Sequence, residues 1–67
     1  MIIIRDANGI TVKRNETSVD YVRIGVTMVY IGDTDGRRRY LHDAYKPHND
    51  YTVGELVKLC EQHTRQQ

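Results

Sequence analysis

The chain begins with segments whose apolar residues have the spacing of β-strands. Met1 to Arg5 and Ile10 to Lys13 are two short runs rich in β-branched residues, a composition typical of strands. Between them, Asn8-Gly9 is a dipeptide that favours the positive φ angles of tight hairpin turns. These runs predict a first β-hairpin, with a polar loop after it from Asn15 to Asp20.

The next segment, from Tyr21 to Ile31, predicts one continuous strand. Apolar side chains recur there with a period of two, which is the pattern of a half-buried strand with its even-numbered residues facing inwards. The alternating positions are Val22, Ile24, Val26, Met28 and Tyr30 against Arg23, Gly25, Thr27 and Val29.

A glycine-bounded turn from Gly32 to Gly36 then predicts a second hairpin. The favoured geometry is a three-residue loop, Thr34-Asp35-Gly36, with Gly36 in the left-handed conformation. The return strand runs from Arg37 to about His42. This register opposes Tyr30 to Tyr40 and Met28 to His42 on the inner face. It places two groups of residues on the outer face, namely Arg37, Arg39 and Leu41 beside Thr27, Val29 and Ile31.

The last third of the chain predicts one helix, from about residue 52 to 64. Thr52 and Glu55 have the spacing of a capping box, and Tyr51 with Leu56 has the spacing of a hydrophobic staple. An apolar stripe follows at helical spacing, formed by Val53, Leu56, Val57 and Cys60.

These elements predict a single small α+β domain over residues 1–67. Two β-hairpins form a three- to four-stranded antiparallel sheet over about residues 1–42, a loop covers 43–51, and the C-terminal helix packs on one face of the sheet. Hydrophobic residues are 39% of the chain, with five tyrosines and neither Phe nor Trp. One core of this size supplies only about 3–5 kcal/mol, and natural proteins of this size depend on disulfides, metals or a partner.

Catalysis is not expected, because none of the glycine-rich phosphate loops, nucleophile elbows or spaced carboxylate pairs of enzymes is recognisable in the sequence. Cys60 is the only cysteine, which excludes an internal disulfide and favours the cytoplasm. The longest uncharged stretch, residues 24 to 32, is much shorter than the roughly 20 residues of a membrane-spanning helix. We therefore expect a cytoplasmic protein with no membrane association and no cofactor.

A zinc site is one alternative for the histidines. The candidate ligands are His42, His48, Cys60 and His63, of which the last two are three residues apart on the predicted helix. The opposing interpretation is stronger, because Cys60 lies on the apolar stripe, where a free cysteine serves as a small buried hydrophobe.

Nucleic-acid binding is a second alternative. Arg37, Arg38 and Arg39 precede Tyr40 on the return strand, where arginines could hold phosphates and the tyrosine could stack on a base, with Arg23 extending the surface. Against this, the net charge is only +1, whereas nucleic-acid domains are usually more basic. Arginines on an edge strand also act simply to prevent edge-to-edge aggregation.

The function that the sequence favours is a small non-catalytic protein-binding module, an adaptor or inhibitor of a larger protein. Tyrosine and arginine are the anchors that protein interfaces favour. The predicted binding surface comprises Arg23, Arg37, Arg38, Arg39, Tyr40, Tyr45 and Tyr51. Another protein or a second copy of the chain is the expected partner, and a DNA- or RNA-binding regulator using Arg37 to Tyr40 is the alternative.

Overall fold

The alternating segments form five antiparallel strands, one or two more than the pattern predicts, and one helix. The computed structural model describes residues 1–64, so residues 65–67 of the predicted domain lie outside the described residues. The strands follow one another in the sheet in chain order, and a single-turn 3-10 helix, His48–Asp50, precedes the C-terminal helix. Their bounds are β1 Ile2–Asp6, β2 Gly9–Lys13, β3 Asp20–Ile24, β4 Met28–Asp33, β5 Arg38–Asp43 and α1 Val53–His63. The predicted α+β class, an antiparallel sheet with a C-terminal helix, is confirmed.

The first hairpin, β1–β2, is confirmed, but its turn does not use positive φ angles. Among residues 1–64 only Gly36 has a positive φ. The two-residue connection Ala7-Asn8 is instead held by the side chain of Asp6, whose Oδ1 accepts the backbone N–H of Asn8 at 2.8 Å. Gly9 is needed for a different reason, because a Cβ at this position would lie 2.1 Å from the carbonyl oxygen of Ile24.

The predicted continuous strand from Tyr21 to Ile31 is wrong. The chain turns back at Val26 and Thr27, where the Gly25 N–H donates to the carbonyl of Met28 at 2.9 Å and closes the hairpin β3–β4. An unbroken strand of this length would measure about 36 Å, longer than the 29 Å greatest extent of the fold.

This turn exchanges the inner and outer positions of the second hairpin. Ile24 pairs with Val29 across the turn, so the buried positions change from even numbers in β3 to odd numbers in β4. Val29 and Ile31 are buried, whereas Val26 is 72% exposed. Met28, Tyr30 and Tyr40, predicted to face inwards, therefore lie on the face away from the helix, whereas Val29 and Ile31, predicted to face outwards, belong to the core.

The loop and central register of the β4–β5 hairpin are confirmed. Gly36 has φ 80° in a three-residue loop, and Tyr30 pairs with Tyr40. An irregularity between Val29 and Tyr30 then shifts the register, so that His42 lies opposite Val29 and not opposite Met28.

Helix α1 begins at the predicted capping box and packs on β2 and β3. The Glu55 N–H donates to Thr52 Oγ1, and Glu55 Oε1 accepts the N–H of Thr52. Leu56 and Cys60 of the predicted stripe are buried, whereas Val53 is 58% exposed. The buried apolar core consists of Ile10, Val12, Val22, Ile24, Val29, Ile31, Tyr51, Leu56 and Cys60.

Arg14, just after β2, fixes the other end of the helix. Its Nη2 donates to the carbonyls of Glu61 and Thr64, at 2.8 and 3.2 Å, and its Nε donates to Thr64 Oγ1 at 2.8 Å. A cation at this end of a helix satisfies terminal carbonyls and opposes the helix dipole. The helix is thus held to the sheet at both its core face and its C-terminus.

The contact of Gly9 with β3 gives a stability prediction. We expect Gly9→Ala to lower the free energy of unfolding by about 3 kcal/mol, because the two strands must separate to admit a methyl group. Gly54→Ala is the matched control, since nothing near Gly54 lies closer than 3.9 Å to a new Cβ and alanine favours helix by up to about 1 kcal/mol. Urea denaturation measures both, and equal midpoints for Gly9→Ala and the natural protein would contradict the close approach.

Candidate binding surface on the open face of the sheet

The face of the sheet opposite α1 is not covered by any element among residues 1–64, and we call it the open face. Strand pairing places one row of side chains across all five strands of this face, and tyrosine and arginine form its centre. The row consists of Ile4, Thr11, Arg23, Tyr30 and Tyr40. The neighbouring row contains Tyr21, Gly32 and Arg38.

The side chain of Arg23 is held in place on the open face by three hydrogen bonds. Its guanidinium donates to both carboxylate oxygens of Asp6, Nη1 to Oδ2 at 2.8 Å and Nη2 to Oδ1 at 3.1 Å, and Nη1 also donates to Thr11 Oγ1 at 3.0 Å. These hydrogen bonds lower the pKa of Asp6 from 3.8 to about 2 and raise that of Arg23. A bidentate pair of this kind fixes the planes of both groups.

Tyr21 lies across the sheet because Gly32 has no side chain. A Cβ on Gly32 would lie 2.4 Å from the hydroxyl oxygen of Tyr21 and 2.5 Å from its Cζ. The ring therefore occupies the space above β4, next to Arg38, which pairs with Gly32 from the other side. The glycine thus lets an aromatic ring lie over the backbone.

Arg38 and Tyr30 form a cation–π pair, with the guanidinium carbon 5.1 Å from the ring centroid. Tyr40, opposite Tyr30, is 57% exposed. Its hydroxyl donates to Asp43 Oδ1 at 2.7 Å, and this hydrogen bond raises the pKa of Tyr40. Aromatic and guanidinium planes therefore lie side by side on the solvent side of the sheet.

Some charged side chains of the open face are paired or hydrogen-bonded, whereas others take part in no ion pair with the described residues. Asp6 is paired with Arg23, and Asp43 accepts the Tyr40 hydroxyl. Among residues 1–64, Lys13 and Arg38 on this face take part in no ion pair. Two cations of the open face thus have no carboxylate partner in the part of the chain that the structure describes.

The arginine run is divided between the two faces of β5. Arg38 and Tyr40 lie on the open face, whereas Arg39 pairs with Ile31 on the side of the helix. All three arginines, Arg38 included, border a cleft of about 270 Å³ that also includes His63 and the two carboxylates Asp20 and Asp33. Arg39 therefore lies on the opposite face of the sheet from Tyr40 and Arg23, with which the sequence placed it on one binding surface.

The two remaining tyrosines of the predicted surface line a groove beside α1 and do not belong to the rows of the open face. Tyr51 is 6% exposed and belongs to the core, so it presents little surface. Tyr45 is 78% exposed, and its ring stacks on His42 with centroids 4.6 Å apart. They line a groove of about 240 Å³ between β5 and α1, together with His42, Glu55, Lys58, Leu59 and Gln62.

The alternative zinc ligands are not brought together. Cys60 is buried in the core, with its thiol near the carbonyl of Val12, while His42 lines the groove of Tyr45 and His63 the arginine cleft. His48 lies in the 3-10 turn. Within residues 1–64, no cluster of three or more His, Cys, Asp or Glu side chains has the arrangement of a metal site.

Sequence reasoning missed Lys13, Tyr21 and Tyr30 as members of the surface. The expectation of one continuous strand placed Tyr30 inside the fold, and the turn at Val26-Thr27 is what brings it outside. The signal that could have found them is the spacing of Tyr21, Arg23 and Tyr30, once a hairpin between residues 24 and 29 is assumed.

No protein-family model, curated protein or solved structure is similar to this chain. In the described residues, no helix is both long and apolar enough to cross a membrane.

The Arg23–Asp6 pair predicts a pH dependence. Because the pKa of Asp6 is lowered, its pair stabilises the fold fully above pH 3.8 and is lost as the pH falls towards 2. We expect Arg23→Gln to return the pKa of the Asp6 carboxyl towards 3.8, measured by NMR titration of its carboxyl carbon. Arg38→Gln is the control and leaves this pKa unchanged. An Asp6 pKa that is the same with and without Arg23 would contradict the pairing.

Proposed function

We propose that this protein binds single-stranded nucleic acid, DNA or RNA, through the open face of its sheet. The observation that carries the proposal is the placement of three tyrosines and two arginines in adjacent rows of one uncovered face. Sheets that bind single strands use aromatic rings as platforms for bases and cations as contacts for phosphates. Nucleic-acid binding is the alternative function considered from the sequence, but the proposed surface is now the open face and not the run from Arg37 to Tyr40.

The proposed roles follow from exposure and pairing. Tyr40 and Tyr21 stack on bases, since the first is more than half exposed and the second lies over Gly32. Arg38 and Lys13, which have no carboxylate partner among residues 1–64, contact phosphates. Arg23 is a positioning residue, because its guanidinium is already held by Asp6 and Thr11.

The proposed role is non-catalytic and cytoplasmic. Cys60 is the only cysteine of the chain, and its thiol is buried in the core. A buried free thiol that serves as packing is typical of proteins from a reducing compartment.

A protein partner is the second candidate, and it is the function that the sequence alone favours. The supporting observation is the groove between β5 and α1, where Tyr45 is exposed yet held by its stack on His42. A rigid exposed tyrosine beside an apolar groove is typical of an interface anchor. The two proposals depend on different residues: Tyr45 for an adaptor or inhibitor, Arg38 and Tyr40 for a nucleic-acid binder.

The division of the arginine run gives a matched pair of variants. We expect Arg38→Ala to weaken binding of a labelled single strand of about 12 nucleotides by about tenfold and to reduce the salt dependence. Arg39→Ala removes the same charge from the neighbouring residue on the other face, and we expect a change of about twofold. Fluorescence anisotropy at two salt concentrations measures both. Equal losses for the two variants would contradict binding on the open face.

A second pair of variants tests stacking. We expect Tyr40→Ala to weaken binding by about 5- to 150-fold, which corresponds to about 1–3 kcal/mol for a stacked base. Tyr40→Phe keeps the ring and loses only the hydrogen bond to Asp43, so binding should stay within about twofold. The same anisotropy titration measures both variants. If Tyr40→Phe loses as much affinity as Tyr40→Ala, the hydroxyl and not the ring is the determinant.

A further inference from the structure

The outer edge of β1 is the most apolar uncovered edge of the sheet. Ile2, Ile3 and Ile4 follow one another there, with Ile4 51% exposed and Ile2 and Ile3 half-buried. β1 pairs with β2 alone, and no other element of residues 1–64 pairs with its outer side. Three consecutive isoleucines on an open edge are a template for pairing with another strand.

The two edges of the sheet differ in their protection. At the other edge, β5 carries Arg38 and Arg39 and an irregularity next to Tyr40, and charges and bulges of this kind discourage edge-to-edge pairing. Residues 2–4 of β1 contain no charge and no proline, and their pairing with β2 is regular. The chain therefore protects one edge and leaves the other able to pair.

The register of β1 with β2 shows which backbone groups are free. Asp6 and Gly9 close a two-residue connection, so this pair exchanges hydrogen bonds within the hairpin. Hydrogen-bonded and free residues alternate along an edge strand. Ile2 and Ile4 thus bond to β2, whereas the N–H and C=O groups of Ile3 and Arg5 point outwards.

We propose that two copies of this chain pair through β1, antiparallel, with Ile3 opposite the partner's Ile3. The outward groups of the two Ile3 residues then bond to each other. In this register Ile2 lies opposite the partner's Ile4, and Ile4 opposite the partner's Ile2. Every isoleucine of the edge thus faces an isoleucine.

Side-chain pairing favours this register over its neighbours. Backbone hydrogen bonds form only where residues whose N–H and C=O groups point outwards lie opposite each other. A neighbouring register is therefore reached by shifting the pairing by one residue on each of the two copies. One step places Asp6 opposite the partner's Ile2, and a second step places Arg5 opposite the partner's Arg5. The first of these registers opposes a charge to an isoleucine, and the second opposes like charges, which is destabilising. A step in the other direction opposes Ile3 to the partner's Met1, so that only Ile2 still faces an isoleucine. The register centred on Ile3 is therefore the one in which all three isoleucines face isoleucines.

The pairing has a consequence for the shape of the assembly. The two-fold axis that relates the strands is perpendicular to the sheet, because opposed residues in an antiparallel pair point to the same side. Two five-stranded sheets thus become one continuous sheet, with both helices on one side and both open faces on the other. The dimer does not depend on the nucleic-acid proposal.

The oligomeric state tests the proposal. We expect the natural protein to sediment at about 100 μM as a species of twice 7.8 kDa. Ile4→Lys places a charge at the contact without facing the core, and we expect it to sediment as a monomer with an unchanged circular dichroism spectrum. Val26→Lys removes an even more exposed apolar side chain, 72% against 51%, in the β3–β4 turn and not on β1, and the dimer should persist. A natural protein that is monomeric, or an Ile4→Lys variant that remains dimeric, would overturn the proposal.

Disulfide cross-linking tests the register. A mixture of the Ile2→Cys and Ile4→Cys variants should oxidise to a mixed dimer, since directly opposed residues outside the hydrogen-bonded pairs have Cα atoms about 4.5 Å apart. Cys60 is buried and does not interfere. Ile4→Cys alone should not cross-link, because residue 4 of one copy is displaced by two residues along the strand from residue 4 of the other copy. Equal cross-linking of Ile4→Cys alone and of the mixture would contradict the register.

Discussion

One helix can cover only one face of a five-stranded sheet, and the arrangement of every other side chain depends on this constraint. Helix α1, with 11 residues, is about 16 Å long and packs on β2 and β3 near the centre of the sheet. The fully buried strand residues all lie under it, namely Ile10, Val12, Val22, Ile24 and Val29. Arg14 fixes the C-terminal end of the helix to the sheet, and the capping box stabilises the first turn at the other end.

The uncovered face must then be made from side chains that tolerate water yet hold the strands together. Tyrosine and arginine suit this requirement, because they combine flat apolar planes with polar ends. The Arg23–Asp6 pair links β3 to β1, and Arg38 over Tyr30 links β5 to β4. The same planes that stabilise the sheet are the ones that a nucleic-acid base or a partner side chain would stack on, so stability and binding draw on one set of residues.

The features that could be predicted from the sequence are those with a local cause. The capping box of Thr52 and Glu55 and the left-handed Gly36 are set by residues only three or four apart, and both were predictable. The turn at Val26-Thr27 was not, because both residues are β-branched and neither has a positive φ. Its cause is global: only by folding back does the chain bring Val29 and Ile31 under the helix, and the face of every later strand residue follows from that step.

The division of the arginine run follows from the same alternation of odd- and even-numbered residues between the two faces. Side chains alternate between the faces of a strand, so three consecutive arginines cannot all contact one ligand from the same side. The register of β5 with β4 places Arg38 on the open face, opposite Gly32, and Arg39 on the helix side, opposite Ile31. A run that the sequence presents as one basic patch is therefore two surfaces, each with its own neighbours. Only the surface of Arg38 has tyrosine planes beside it, and this separates a candidate binding site from arginines that protect an edge.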